Sequence, residues 1–325
     1  MRRFIYHAEI CAIATLLGGL APSGSRAQGV VLDTTSPAAF VASAAEGDAA
    51  AVNLFLAAGM SPNTQDETGD SPLLAAVSAG RLETVQLLLA KGADANLAKK
   101  DGWSPLLAAA QGGHTDVIEA LVARGAQVNA ATPELFTPLM AAAKNGHEPA
   151  LRALLGHGAT VKTINKDGWT ALIAAAESNE PGVVEALLDA GADAKASMTD
   201  GWTPLMAASN AGNAAAVTAL MDAGADVNAH NKDGWTALMA APEGGSAAVA
   251  TALLAHKANV NAASNDGWTP LMGAADKGQG AIVRVLLDKG AKVGAANHEK
   301  LTALSYAEKG QHADIVALLK TSGAK

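Results

Sequence analysis

The 325-residue sequence contains a single cysteine, Cys11, and only 3% of its residues are aromatic. One thiol cannot form an intramolecular disulfide or a cysteine-based metal site. We expect Cys11 to be removed with an N-terminal signal segment, which leaves a mature chain without any thiol nucleophile. The fold must therefore be stabilised by the burial of apolar surface.

Positive charge is also scarce. The chain has 23 Lys and Arg residues against 31 Asp and Glu residues, and its formal net charge is −8. Residues 1–27 contain three arginines and one glutamate, so the rest of the chain carries a net charge of −10. An acidic chain with no basic stripe does not suit nucleic acid or an anionic membrane surface as a partner.

Motifs for catalysis are missing as well. The sequence has no Gly-x-Ser-x-Gly motif, no glycine loop for phosphate and no His-Glu metal motif. We therefore predict that the protein is not an enzyme and has neither a cofactor nor a metal site.

The N-terminus has the three-part layout of a secretory signal peptide. Met-Arg-Arg opens the chain, an apolar stretch runs over residues 10–20, and Ser25-Arg26-Ala27 suits cleavage. We predict a signal peptide over 1–27 and a short linker over 28–35, in an exported bacterial protein that is periplasmic or secreted. Two alternatives are a twin-arginine signal and an uncleaved anchor, although the apolar stretch is short for a membrane span.

The remainder of the chain follows a strict 33-residue period. A first leucine column comprises Leu73, Leu106, Leu139, Leu172, Leu205, Leu238, Leu271 and Leu304, and a second runs from Leu88 to Leu319 at the same spacing. A glycine column runs from Gly59 to Gly290 and is broken only by Lys257. A fixed period of this length indicates an array of stacked supersecondary units.

Residues 200–232 illustrate one unit. An Asp-Gly turn precedes Thr203, a candidate N-cap, and Pro204, which suits the first position of a helix. A second short helix should end at Gly224 in the left-handed conformation. Helices of this length are not stable alone, so each unit must stack on its neighbours.

The pattern D-G-x-T-P-L-x-x-A-A, followed by G-x-x-x-x-V-x-x-L-L-x-x-G-A-x-x-N, resembles the ankyrin repeat. This resemblance implies an all-α repeat solenoid of stacked helix-turn-helix units joined by β-hairpin-like loops, over residues 36–325. We expect nine units, the first and last acting as caps with a polar outer face. Their starts lie near Ser36, Gly69, Gly102, Leu135, Gly168, Gly201, Gly234, Gly267 and Lys300.

The sequence departs from the family pattern at several positions. The histidine that usually follows Thr-Pro-Leu is replaced by apolar residues such as Met206, which we expect to pack in the core. The loop asparagine, present at Asn96, Asn129, Asn228 and Asn261, is replaced by Lys162 and Lys195 in two units. Histidines recur at the turn between the two helices, where a structural role is expected: His114, His147 and His312.

One unit, residues 234–266, carries two unfavourable substitutions. Pro242 lies late in the first helix and should shorten its last turn. Lys257 replaces the glycine at the end of the second helix, at a cost of about 1 kcal/mol. We predict that this is the weakest internal unit.

Two further columns give the candidate site, which the resemblance places on hairpin tips at the concave side. The aromatic column comprises Trp103, Phe136, Trp169, Trp202, Trp235 and Trp268, and the acidic column includes Asp101, Asp167, Asp200, Asp233 and Asp266. With about 10 Å between stacked helices, six solvent-facing rings would span roughly 50 Å. A row of exposed indoles edged by carboxylates suits a partner with basic and apolar groups.

Structural explanations for both columns remain open. An Asp before Gly is ordinary turn chemistry, and the structural alternative for the rings is packing on neighbouring tips. A second candidate surface is the variable column at the end of the first helices, from Ser78 through Lys144 and Glu177 to Lys309. We expect a monomeric scaffold that binds a protein or peptide on this side; the alternative is a carbohydrate or cell-wall binder that uses the Trp row.

Overall fold

A computed structural model of the protein describes residues 33–178 and 180–324, so the predicted signal peptide and most of the linker lie outside the described residues. The described residues form eighteen helices in nine consecutive pairs and contain no strand longer than an isolated bridge. The first helices of the pairs are α1 (Pro37–Glu46), α3 (Pro72–Ser78), α5 (Pro105–Gly112), α7 (Pro138–Lys144), α9 (Ala171–Glu177), α11 (Pro204–Asn210), α13 (Ala237–Gly244), α15 (Pro270–Asp276) and α17 (Ala303–Lys309). The second helices are α2 (Ala49–Ala57), α4 (Leu82–Ala90), α6 (Thr115–Val122), α8 (Glu148–Gly156), α10 (Pro181–Asp189), α12 (Ala214–Asp222), α14 (Ala247–Ala255), α16 (Gly280–Asp288) and α18 (Ala313–Thr321). The predicted all-α array of helix pairs is confirmed.

The ends of the helices follow the predicted chemistry. The Oγ1 atom of Thr203 accepts a hydrogen bond from the Met206 N–H, and Pro204 is the first residue of α11. Gly224 follows α12 with a φ of 87°. These turn residues therefore fix where α11 begins and where α12 ends.

The loops between pairs are hairpin-like, as predicted. In the loop before α11, the Met198 N–H donates to the carbonyl of Trp202, four residues later. The equivalent backbone hydrogen bond recurs in the other loops. Isolated antiparallel bridges join Ile164 to Thr170 and His230 to Thr236. We call the closed end of each loop a tip.

The core is made by the leucine columns and by the apolar residues that replace the family's histidine. Leu205 and Leu220 have at most 1% of their surface exposed, and Met206 is fully buried. The expectation that these replacements pack in the core is therefore confirmed. Contacts of this kind between neighbouring units are the main source of stability for helices this short.

Asparagines bind adjacent units together with two hydrogen bonds each. The Nδ2 atom of Asn129 donates to the Gly158 carbonyl, and its Oδ1 atom accepts from the Thr160 N–H. The same pair of bonds is made by Asn63, Asn96, Asn228 and Asn261. The Lys195 side chain has no carbonyl oxygen to accept the second of these bonds. A shallow cleft of about 250 Å³, lined in part by Lys195 and Asp226, lies where its unit meets the next.

Two of the three histidines in the histidine column have the structural role that was predicted. The Nε2 atoms of His147 and His312 lie 3.0 and 3.1 Å from the backbone carbonyls of Gln111 and Asp276 in the preceding units. The guanidinium of Arg81 makes the equivalent contact with the Ala45 carbonyl.

Pro242 does not shorten its helix, and this prediction was wrong. The helix α13 has eight residues, whereas most inner first helices have seven. It continues to Gly245, which takes a left-handed conformation and donates its N–H to the Pro242 carbonyl. The unit has other weaknesses: Lys257 has a φ of 68°, and the buried Oγ1 of Thr236 finds no hydrogen-bond partner among the described residues.

The two terminal units differ in how polar their outer surfaces are. Lys320 is exposed on α18 and pairs with Glu308 at 3.0 Å, as expected of a cap. In the first unit, Leu54 on α2 is 56% exposed, so that surface is less polar than predicted.

Candidate interaction surface

The aromatic column lies at the tips, close to the ends of the first helices. We call the tips and the last residues of the first helices the tip face. Trp169 is only 6% exposed, and the other five rings are half-buried. The expectation that the indoles face solvent was therefore wrong for Trp169 and holds only in part for the rest.

Three of the rings form what we call the aromatic stack. The ring centroids of Trp103 and Phe136 are 6.4 Å apart, and those of Phe136 and Trp169 are 6.0 Å apart, with interplanar angles of 12° and 16°. These values fit an offset-stacked arrangement. These separations are shorter than the roughly 10 Å expected between stacked helices.

Helix-end residues cover Trp169. The Nζ atom of Lys144 lies 5.6 Å from the ring centroid, and the Glu177 side chain is hydrogen-bonded to the indole. Glu177 is exposed as a whole, but desolvation of its carboxyl group raises the pKa, and Lys144 and the Trp169 bond only partly offset this. The structure thus brings together the two columns that were proposed separately from the sequence.

At the other end of the tip face, Trp268 packs into the array. Its ring meets Tyr306 edge-on at 4.7 Å, and its buried Nε1 finds no hydrogen-bond partner among the described residues. A Cβ atom on Gly273 would lie 3.3 Å from that nitrogen. Gly273 replaces the alanine found at this position in the inner units, and so makes room for the indole.

The acidic column has two roles in the tips. The carboxylates of Asp101 and Asp200 accept the backbone N–H of Trp103 and Trp202, which is ordinary turn chemistry. The backbone carbonyls of four acids accept an N–H from the next tip: Asp167 from Thr199, Asp200 from Lys232, Asp233 from Asn265 and Asp266 from His298. All five aspartates of the predicted site are nevertheless exposed.

Charge is distributed unevenly along the tip face. Around the aromatic stack, four cations (Lys99, Lys100, Lys144, Lys166) nearly balance five anions (Asp70, Asp101, Glu134, Asp167, Glu177). Over the next three units, five anions (Asp200, Asp233, Glu243, Asp266, Asp276) outnumber two cations (Lys232, Lys277). We call these two regions the apolar half and the acidic half.

Two residues of the apolar half were missed as site candidates. Leu135 is 44% exposed at the tip of Phe136, and Ile164 is 55% exposed in the loop that leads to Trp169. Leu135 stands in the glycine position of its tip and has a φ of 62°. A large apolar residue at a position that favours glycine was a usable signal in the sequence.

The comparisons with known proteins agree with this architecture. The sequence matches the family described as Ankyrin repeats (3 copies) over residues 40–132, 131–198, 193–264 and 258–325. The chain belongs to the ankyrin repeat family. It is similar to the human ASB11 ankyrin repeat domain in its crystal structure, with 27% identity and a TM-score of 0.61 over 68% of this chain and 98% of that one. No curated protein matches the sequence significantly.

Ankyrin repeats are generally non-catalytic and mediate binding to protein partners. Within residues 33–178 and 180–324, no three His, Cys, Asp or Glu side chains are grouped closely enough to hold a metal ion. In the same part of the chain, no helix has the length and apolarity needed to cross a membrane.

Proposed function

We propose that this ankyrin array is a non-catalytic scaffold that binds a protein or peptide partner on its tip face. The observation that carries this proposal is the aromatic column, of which five rings are half-buried, in an array whose loops also expose the side chains of Leu135 and Ile164. Aromatic side chains surrounded by polar groups are typical of the centres of protein interfaces. The acidic tips provide the polar surroundings.

We propose further that the scaffold acts outside the cytoplasm as a monomer, after removal of residues 1–27. This part rests on the sequence alone. Intact-mass measurement of the exported protein tests the removal of residues 1–27. A chain that begins at residue 28 is the expected result, and a chain that retains its N-terminus contradicts the proposed cleavage.

The aromatic stack favours a protein partner over the alternative, a carbohydrate. Sugar recognition by stacking needs an open ring face, but neighbouring rings lie against both sides of Phe136. The Lys144 ammonium lies over Trp169. Phe136 and Trp169 therefore have no open face on which a sugar could stack.

The test is affinity capture from the exported fraction, followed by cross-linking and mass spectrometry. The double variant Trp202→Ala/Trp235→Ala removes two half-buried rings, and Leu54→Ser is the control because Leu54 is exposed on a second helix instead. We expect the double variant to lose the partner while circular dichroism shows an intact fold. Unchanged capture by a folded double variant, or retention on peptidoglycan instead of a protein, would contradict the proposal.

A further inference from the structure

The spacing of the rings in the aromatic stack matches the repeat of an extended polypeptide. Successive rings are 6.4 and 6.0 Å apart. An extended chain rises about 3.3 Å per residue, so side chains on one of its sides recur at about 6.6 Å. One chain lying along the array would therefore place alternate side chains against Trp103 and Phe136, the two partly exposed rings of the stack.

The apolar half offers more than ring edges to such a chain. Leu135 and Ile164 add exposed aliphatic surface, and the four cations of this half nearly balance its five anions. Two of the cations are already paired: Lys166 lies 3.1 Å from Glu134, and Lys99 lies 3.0 Å from Asp70. The matching surface on a partner is consequently apolar and uncharged.

The acidic half has a different preference. The exposed carboxylates of Asp200, Asp233 and Asp266 lie at consecutive tips, and Lys277 is already paired with Glu243 at 2.8 Å. Surplus negative charge at three successive tips attracts basic side chains and disfavours acidic ones.

We propose that the tip face binds an extended, bipartite polypeptide segment that runs along the array. Its apolar side chains, at alternate positions, contact Trp103 and Phe136 together with Leu135 and Ile164, and its basic side chains lie over the acidic half. This inference rests on the proposed function and specifies the partner's chemistry.

Synthetic fluorescent peptides of about 16 residues test the proposal, since this length covers both halves in an extended conformation. One probe alternates Leu and Ser and then alternates Lys and Ser, and a second has the two blocks in reverse order. A third probe has the same composition in scrambled order, and a fourth has Glu in place of Lys. Fluorescence anisotropy with the full-length chain should show binding of one of the two block orders, at least about tenfold tighter than the scrambled and Glu probes. Equal binding of all four probes, or binding of none, would overturn the proposal.

Substitutions that the fold tolerates locate the binding site. Leu135→Gly restores the usual tip residue at a positive φ, and Ile164→Ser introduces the residue found at the same position, Ser197, in the next unit. Together they should weaken the preferred probe by about tenfold. The control Leu54→Ser, which removes an exposed leucine elsewhere, should have no effect. A loss of affinity as large in the control as in the double variant contradicts the assignment of the site.

The acidic half has its own pair of variants. Asp233→Asn/Asp266→Asn should weaken the preferred probe several-fold and flatten the dependence of its affinity on salt. The control Asp189→Asn/Asp222→Asn changes two exposed aspartates at the ends of second helices and should leave both unchanged. An equal effect of the two pairs would show that only net charge matters.

Failure of this inference is distinguishable from failure of the proposed function. Cross-links from a captured partner to the tip face support the scaffold function, whatever the partner's conformation. If those cross-links come from a folded domain without an extended segment, the bipartite segment is excluded and the scaffold function stands. If they lie away from the tip face, both fail.

Discussion

The ammonium group of Lys144 lies 5.6 Å from the centre of the Trp169 ring, in the next unit of the array. Glu177 is hydrogen-bonded to the same indole, so the cation, the ring and the carboxylate form one cluster. This cluster explains why Trp169 is the most buried member of its column.

The first prediction concerns the pH dependence of stability at Glu177. Desolvation raises the pKa of its carboxyl group in the folded state, so ionisation opposes folding and the stability contribution is lost as the pH rises through the folded-state pKa. Glu177→Gln should become more stable than the parent chain as the pH rises from about 4 to about 7, by less than about 0.5 kcal/mol because the side chain is exposed. Urea unfolding at both pH values measures this difference. A difference that stays constant or falls with pH contradicts the prediction.

The second prediction separates backbone strain from close packing of the tips. Gly201 has a φ of 88°, and an added Cβ would lie 2.9 Å from the Asn231 Cα; Gly191 has a φ of 85° with nothing within 4 Å of that Cβ. Gly191→Ala should cost about 1 kcal/mol from strain alone, and Gly201→Ala about 2–3 kcal/mol. Denaturant unfolding of the two variants measures the loss of stability in each. Equal losses would show that the tips can accommodate the added methyl group at Gly201.

The third prediction concerns the weak unit over residues 234–266. Lys257→Gly should stabilise the chain by about 1 kcal/mol, because Lys257 has a φ of 68°. The control Lys289→Gly, at a φ of −95°, should destabilise it slightly. Hydrogen exchange of the parent chain should show the lowest internal protection in this unit; uniform protection of the inner units would refute the prediction.

The fourth prediction restores an absent link between units. Lys195→Asn offers an amide to the Gly224 carbonyl and the Asp226 N–H, which correspond to the partners of Asn228 in the next unit. The gain should be about 1 kcal/mol in unfolding free energy. Lys195→Ala removes the lysine without supplying the amide, and an equal gain in that control would mean that the two new hydrogen bonds contribute nothing.

The repeat period was sufficient to predict the helix pairs, because the caps and leucines are fixed by local chemistry that recurs every 33 residues. Thr203, Pro204 and Gly224 took their predicted roles. Asn63 was overlooked as an inter-unit link because its unit departs most from the repeat pattern, although its side chain makes the same two bonds.

The exposure of the aromatic rings was not predictable from their own column. Burial of Trp169 depends on Lys144 and Glu177, which belong to the end of the first helix in two different units. The position of Trp268 depends on Gly273 and Tyr306 in the same way. The sequence shows which positions vary, but the packing of one unit on the next decides which of them meet.

The backbone bonds from Thr199, Lys232, Asn265 and His298 to the preceding tips join five consecutive loops. Moving one of these loops away from its neighbours would break such a bond, so the loops resist displacement as a group. A ligand that docks on these loops therefore meets contact points at a fixed spacing. A ligand whose own side-chain spacing differs must change its conformation in order to contact all of them.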